Sequence, residues 1–374
     1  MVRNRTFINA RKIKKLVKNP GIFMRDFLFK KFPYTNTQLD LTETKESVVV
    51  DFLDTRERLL DELIEPVDVV YTWVNHQDEI WQKTCLDAKK EWDPHSKDFF
   101  SVDAARFCNH NELFYSIISV KRFMPWVRKI FVVTAQQIPE WREAHSDVEF
   151  VFHDDIVDSI YLPTFNSHVI EAFLYKIPDL SENFIYFNDD VFVAKNLHKN
   201  HFFSANGLSS LFVADKTLDI PKTQSDGINS NSIEASVRSA NLLRQTHSIK
   251  IQQKLVHTYY PLKKSMFELA WNLYEKEINS FLTNKFRGDN DINLSTFLIP
   301  WLTYCEGKAK EAVDICYYFN IRSPHAIFQY EKLLTKKEEG KQPHSFCAND
   351  FVSSLTTLQD YHKNLENMLQ RYFG

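Results

Sequence analysis

Glycine is scarce in this sequence, with seven in 374 residues. Neither GxGxxG nor GxxxxGK followed by Ser or Thr occurs, which excludes the glycine-built phosphate cradles. A nucleotide would have to be held by side chains and a metal. The five cysteines, Cys85, Cys108, Cys305, Cys316 and Cys347, are odd in number and form no CxxC or other zinc spacing. A reducing interior is the simplest account of that pattern. No apolar run approaches the ~20 residues of a spanning helix. The basic start lacks the apolar core of a secretory signal. These absences predict a protein that stays inside the cell. The net charge of −3 argues against general nucleic-acid binding.

That mean hides an asymmetry. Residues 1–31 carry ten Lys and Arg against one acid, Asp26. Residues 9–31 read as a basic amphipathic helix broken at Asn19-Pro20-Gly21, suited to an anionic surface such as a membrane. Residues 34–60 are polar and read as a linker entering a helix from Thr55 to Ile64. From Val67 the pattern changes. Val67–Val74, Lys129–Thr134, Val148–Phe152, Phe184–Phe187 and Leu211–Ala214 read as short buried strands. Asn111–Phe123, Ile138–His145 and His168–Tyr175 read as helices between them. Strands alternating with helices predict an α/β fold with a mainly parallel sheet. From Ser230 onward the pattern is mostly helical. The expected division is a basic helix and linker over 1–60 and a catalytic domain over 61–374. Within the latter, 61–229 is the α/β core and 230–374 a helical region that completes the site.

The strongest local signal for chemistry is Asp189-Asp190, just past the strand Phe184–Phe187. Ligands bind beyond the carboxyl ends of strands in open α/β sheets, and acidic residues there can hold a hard divalent cation against a phosphate. Glu171 lies on a helix that starts near Asn166-Ser167. Arg106 and Glu112 flank another helix start. His257 sits among aromatics, and Arg287 offers a fork suited to phosphate. Cys347-Ala348-Asn349-Asp350 adds an amide and a carboxylate. Each residue also has an ordinary structural reading. Together they supply what phosphoryl transfer needs: carboxylates for metal, a guanidinium for phosphate charge, and an imidazole or carboxylate for the proton.

In order along the chain, these motifs resemble the conserved blocks of the Stealth proteins. Asp68-Val69-Val70-Tyr71-Thr72-Trp73-Val74-Asn75 resembles the first block. Arg106–Thr134, Leu162–Ser167, Ile170-Glu171 and Asn188-Asp189-Asp190 resemble the second. His257–Asp291, with Asn284-Lys285-Phe286-Arg287, resembles the third, and Cys347–Asp350 the fourth. The basic start, from Arg11 through Asn19-Pro20 to Asp26, is similar to the leader of bacterial capsule polymerases of this family.

The resemblance implies a hexose-1-phosphate transferase on a glycosyltransferase-A-like nucleotide-sugar sheet. The donor would be a UDP-sugar and the acceptor a hydroxyl of a growing capsule oligosaccharide, with UMP leaving. Carried over by motif, the catalytic residues are Glu171, Asp190, His257 and Arg287. Substrate contacts fall on Trp73, Asn75, Arg106, Glu112, Asn166, Ser167, Asn349 and Asp350. Asp189 and Asp190 would hold Mg²⁺ or Mn²⁺. The implied location is the cytoplasmic face of the inner membrane, near a lipid-linked acceptor and the capsule assembly and export proteins, with no nucleic acid involved. One departure stands out: Cys108-Asn109-His110-Asn111 precedes Glu112-Leu113, so the amide of Asn109 stands where many members carry an acid. Two rival readings stay open: a metal-dependent glycosyltransferase that releases UDP, and a non-catalytic polysaccharide-binding or export scaffold.

Overall fold

The computed structural model describes Pro20 and residues 38–91, 110–218, 230–351 and 357–374. Its centre is a five-stranded sheet in the order β3-β2-β1-β4-β8. Strands β1 (Val67–Thr72), β2 (Ile130–Thr134), β3 (Val148–Phe152) and β4 (Asn183–Asn188) run parallel, and β8 (Tyr260–Lys263) closes the edge antiparallel to β4. Parallel strands are covered on both faces and so read as unbroken apolar runs. Val69, Val70, Tyr71, Phe184, Ile185, Tyr186 and Phe187 are accordingly all fully buried.

Asp68 interrupts that run for a structural reason. Its carboxylate takes a two-pronged hydrogen bond from Arg128, at 2.9 and 2.7 Å, and a third from the Ser181 backbone N–H at 2.7 Å. A buried carboxylate needs such partners, and here they lock the entry to β1 against the segments entering β2 and β4.

Two small sheets flank the centre. In one, β10 (Cys316–Asn320) pairs parallel with β11 (Ser345–Asn349), which pairs antiparallel with β5 (Val191–Val193). In the other, β6 (Ser209–Thr217) lies between β7 (Gln253–Leu255) and β9 (Ala309–Ala312). The larger helices are α1 (Glu43–Arg58), α2 (Glu79–Glu91), α3 (Glu112–Phe123), α4 (Ser167–Glu171, little more than one turn), α5 (Ser230–His247), α6 (Lys264–Phe281), α7 (Ile299–Cys305), α8 (Ala326–Glu338) and α9 (Tyr361–Phe373).

The α/β core matches the sequence reading closely, and helices dominate residues 230–374. That region also supplies five strands, β7 to β11, which sequence periodicity did not mark. The shortest have three or four residues, too few for alternation to show. The polar stretch 34–60, read as a linker, is corrected over its described part. The helix there spans Glu43–Arg58 rather than Thr55–Ile64. Thr42 caps it, Glu43 and Glu46 occupy its first turn, and Arg56 and Arg58 its last, as the helix dipole favours. The helix packs on the body. Glu46 accepts from Tyr317 and lies 3.5 Å from Lys336, and the Glu57 carboxylate meets His201 at 3.0 Å. The expected helix 9–31 lies outside the described residues apart from Pro20.

Candidate active site

β4 ends at Asn188, and the chain turns through Asp189 and Asp190 directly into β5. The turn is held from β11: the Ala348 N–H donates to the Asp190 carbonyl at 3.0 Å. The Asn349 amide donates to Asp190 Oδ2 at 2.9 Å, and the Cys347 thiol to the same oxygen at 3.3 Å. Asp190 Oδ1 is buried with no hydrogen-bond partner among the described residues. Burial, then Asp190 and Glu112, hold the Asp189 carboxyl well above the ordinary range. Burial also pushes Glu112 up to about 7, with His110 opposing and Asp190 adding. Three carboxyls thus crowd one region.

His257 stands beside this turn. Burial pulls its pKa down while Asp190 pushes it up, and the balance is a lowered value that keeps the ring neutral. Its Nε2 is buried and unpartnered among the described residues. Its backbone is clamped: the His257 N–H donates to Gln38 Oε1, and the Gln38 amide returns a bond to the His257 carbonyl at 3.4 Å. The Cys316 thiol donates to that carbonyl at 3.3 Å. The Tyr318 ring packs edge-on at 5.2 Å.

The second group centres on Glu171, at the end of α4, whose Oε2 is buried and unpartnered among the described residues. Burial raises its pKa, with His168 and Arg287 pulling back. Arg287 reaches α4 through Ser167, donating to its Oγ at 2.7 Å. Asp291 explains why residues 120 apart in sequence meet. Its carboxylate collects Asn166 at 2.8 Å, Asn284 at 2.7 Å and His168 at 3.0 Å. The Phe165 and Phe286 rings stack at 5.3 Å. The two groups share neighbours: the Tyr260 hydroxyl feels both Glu171 and Asp190, and Tyr186 feels Glu171, Asp189 and Arg287.

Several of the residues expected to contact substrate also make contacts within the protein. Asn166 is fully buried, caps α4 through the His168 N–H and donates to Asp291. Its amide is thus engaged within the protein. Asp350 is occupied by Arg322 and His110. Asn75 caps its own turn through the Gln77 N–H. Trp73 is buried with its indole N–H unpartnered among the described residues. Glu112 takes the His110 N–H. Arg106, Cys108 and Asn109 lie outside the described residues. Sequence reasoning missed Gln38, His168 and Asp291. Asp291 lies inside the motif that carries Arg287, so its position was a signal. Gln38 had none.

Carboxylates, an imidazole and a guanidinium gathered past the ends of parallel strands form the arrangement of an enzyme of the group-transfer kind. Residues 106–211 match the model of Stealth protein conserved region 2. The chain is 50% identical over 373 residues to a capsular polysaccharide phosphotransferase of Actinobacillus suis, covering 97% of this chain and 99% of that one. It is 48% identical over 371 residues to one from Neisseria meningitidis serogroup B, covering 98% and 99%. An exopolysaccharide phosphotransferase of Streptomyces coelicolor is 30% identical over 84% of this chain and 33% of its own length. The chain belongs to the Stealth family, among its capsular polysaccharide phosphotransferases. Solved structures of the bifunctional glycosyltransferase WbbM (TM-score 0.38, 11% identity, 83% of this chain and 50% of that one) and the galactosyltransferase LgtC (TM-score 0.37, 11% identity, 81% and 95%) are similar too weakly to carry an argument.

Proposed function

We propose that this protein moves a hexose-1-phosphate from a UDP-sugar to a hydroxyl of a growing capsule oligosaccharide. UMP leaves, and a phosphodiester-linked polymer forms. The observation that supports this reading is the pair of buried atoms Asp190 Oδ1 and His257 Nε2, on adjoining elements and without a hydrogen-bond partner among the described residues. A buried polar atom without a partner is costly, and here there are two, one in the turn after β4 and one just before its edge partner β8.

The acceptor oxygen attacks the phosphorus that bears the sugar, and the bond from that phosphorus to the UMP oxygen breaks. His257, neutral because it is buried, takes the acceptor proton at a ring nitrogen. Asp190 orients and charge-stabilises the imidazole. Arg287, braced by Ser167, shares the negative charge that spreads over the phosphoryl oxygens. Glu171 holds Arg287 and the sugar hydroxyls in register. The crowding of Asp189, Asp190 and Glu112 fits a divalent cation. Mg²⁺ or Mn²⁺ held by Asp189 and Asp190 would neutralise charge developing on the diphosphate.

Residues 1–31 act as a tether to the cytoplasmic membrane surface. Val48, Phe52 and Leu59 lie at helical spacing on the outward side of α1 and its C-terminal end, 60% or more exposed, and form an apolar strip that could also meet a membrane surface. Among the described residues no helix is long and apolar enough to cross a membrane.

Steady-state kinetics of Asp190→Asn and His257→Ala test the assignment. Each should lower kcat by roughly 10²-fold or more, the usual share of an acid–base group, in a protein with an unchanged circular dichroism spectrum. A folded His257→Ala enzyme running at the parent rate would remove His257 from the reaction.

A further inference from the structure

Magnesium does not account for one donor at the turn. The Cys347 thiol is buried and points at Asp190 Oδ2 from 3.3 Å. One ligand atom from each of Asp190, His257 and Cys347 lies within 4.8 Å of the other two. Asp190 Oδ1 and His257 Nε2 are both buried and without a hydrogen-bond partner among the described residues. All three side chains are fixed by the fold. Cys347 sits opposite Val191 in the β11–β5 ladder, next to Asp190 in sequence, and Ala348 ties the two strands again through the Asp190 carbonyl. The Gln38 clamp fixes the His257 backbone.

This donor set has the wrong chemistry for Mg²⁺, which takes oxygen ligands in octahedral geometry and keeps its waters. Thiolate and imidazole with one carboxylate suit zinc. Three protein ligands with a fourth, open position are a common zinc arrangement. The other cluster of possible ligands among the described residues, His201, Asp314 and His344, has no thiol, and most of its ring nitrogens are engaged. His201 uses both ring nitrogens on Glu57 and Asp314, and His344 Nδ1 takes the Ile315 N–H.

We propose that Asp190, His257 and Cys347 form a binding site for a thiophilic divalent cation of the zinc class, whose occupancy switches the transferase off. As the metal–sulfur bond forms, the thiol proton passes to solvent, and nothing is oxidised or reduced. The bound cation takes the His257 lone pair that would receive the acceptor proton, and draws Asp190 away from its role beside it. The inhibitory half rests on the function proposed above. The binding half rests only on the donor set.

The test uses the full chain and Co²⁺ as a spectroscopic stand-in for Zn²⁺. Titration should produce a thiolate-to-cobalt charge-transfer band that stoichiometric Zn²⁺ abolishes. The band should be absent in Cys347→Ser and Cys347→Ala and present in the control Cys305→Ser, each checked for fold by circular dichroism. Supporting contacts to a metal ligand are worth roughly 10–100-fold in affinity, so losing the thiol itself should raise the Zn²⁺ concentration for half-inhibition at least 10-fold. A missing band, or a band of equal strength in a folded Cys347→Ser protein, overturns the site. A band that depends on Cys347, with transfer undiminished at saturating Zn²⁺, overturns the inhibition. The cobalt titration reads binding whether or not the protein transfers sugar phosphate, so failure of the site and failure of the proposed reaction are separable.

Discussion

The Asn349 side-chain amide donates to Asp190 Oδ2 at 2.9 Å across 159 residues of chain. This bond joins β11 to the carboxylate turn after β4, and it engages one Asp190 oxygen while the other has no hydrogen-bond partner among the described residues. Asn349→Asp replaces the donor with a like charge. A hydrogen bond to a charged group contributes about 1.5–3 kcal/mol, so kcat should fall about 10–100-fold with the donor KM little changed. Initial-rate kinetics decide this. An unchanged kcat would mean that Asp190 needs no such support.

Gln38 is the long-range partner of His257, bonding both its N–H and its carbonyl. It is a positioning residue, and small misplacements of a catalytic group can cost up to about 10²-fold. Gln38→Leu should lower kcat about 10-fold or more while the donor KM holds, and Gln38→Glu, which keeps the acceptor for the His257 N–H, should recover part of the rate. Equal losses in kcat and thermal stability for both variants would reduce Gln38 to a folding role. The same residue sets the truncation limit. A chain starting at residue 35 should keep transfer to a soluble primer and lose salt-sensitive binding to anionic vesicles, because basic residues near such a surface contribute about 1 kcal/mol each. A chain starting at residue 51 cuts α1 and should be destabilised. Vesicle binding by the shorter chain equal to that of the full chain would contradict the tether.

His201 gives stability a pH signature. It is buried between Glu57 and Asp314 and near the neutral His344. Burial opposes its charge, but the two carboxylates prevail and lift its pKa from 6.5 to about 10. The folded state therefore binds a proton that the unfolded chain releases near 6.5. This contribution is fully present below about pH 6.5 and is lost as pH rises toward about 10. Melting temperatures should fall across that window, and His201→Gln should flatten the fall. A parent melting temperature that stays level from pH 6.5 to 10 would refute a charged His201.

Asp291 holds α4 to the segment carrying Arg287. Asp291→Ala takes the partner from the buried His168 Nδ1 and one bond from each of Asn166 and Asn284, and a buried polar group left without a partner costs about 1–3 kcal/mol. The variant should melt several degrees lower and lose kcat with Arg287 misplaced. A chemical-denaturation midpoint equal to the parent's would remove Asp291 from the support of this group.

How far the fold and site were legible depends on distance along the chain. The parallel strands Val67–Thr72 and Val148–Phe152 are buried runs bounded by turns, and each was marked to within a residue or two at its carboxyl end. Three-residue β5 and β7 carry no period to detect. Helix α1 was displaced because its inward face is built from Glu46, Val50 and Glu57 rather than an apolar stripe, and the partners of those acids, Tyr317, Lys336 and His201, lie far away in sequence. Asp189-Asp190 stood out because a carboxylate pair after a buried strand is unusual. The internal partners of Asn166 and Asp350, Asp291 and Arg322, were not legible because sequence shows residue type but not what a side chain is bonded to. Gln38 looked like any polar residue of an irregular stretch, and only the folded chain brings it to His257.

Transfer of the sugar phosphate, rather than of the sugar alone, is the central claim, and the fate of one phosphorus atom tests it most directly. The enzyme would be given a UDP-sugar labelled at the phosphorus that bears the sugar, together with a capsule oligosaccharide primer, and the label followed by phosphorus NMR and chromatography. The account predicts label in the polymer as a phosphodiester and unlabelled UMP in solution. Label recovered in UDP, with none in the polymer, would contradict it and establish an ordinary glycosyl transfer.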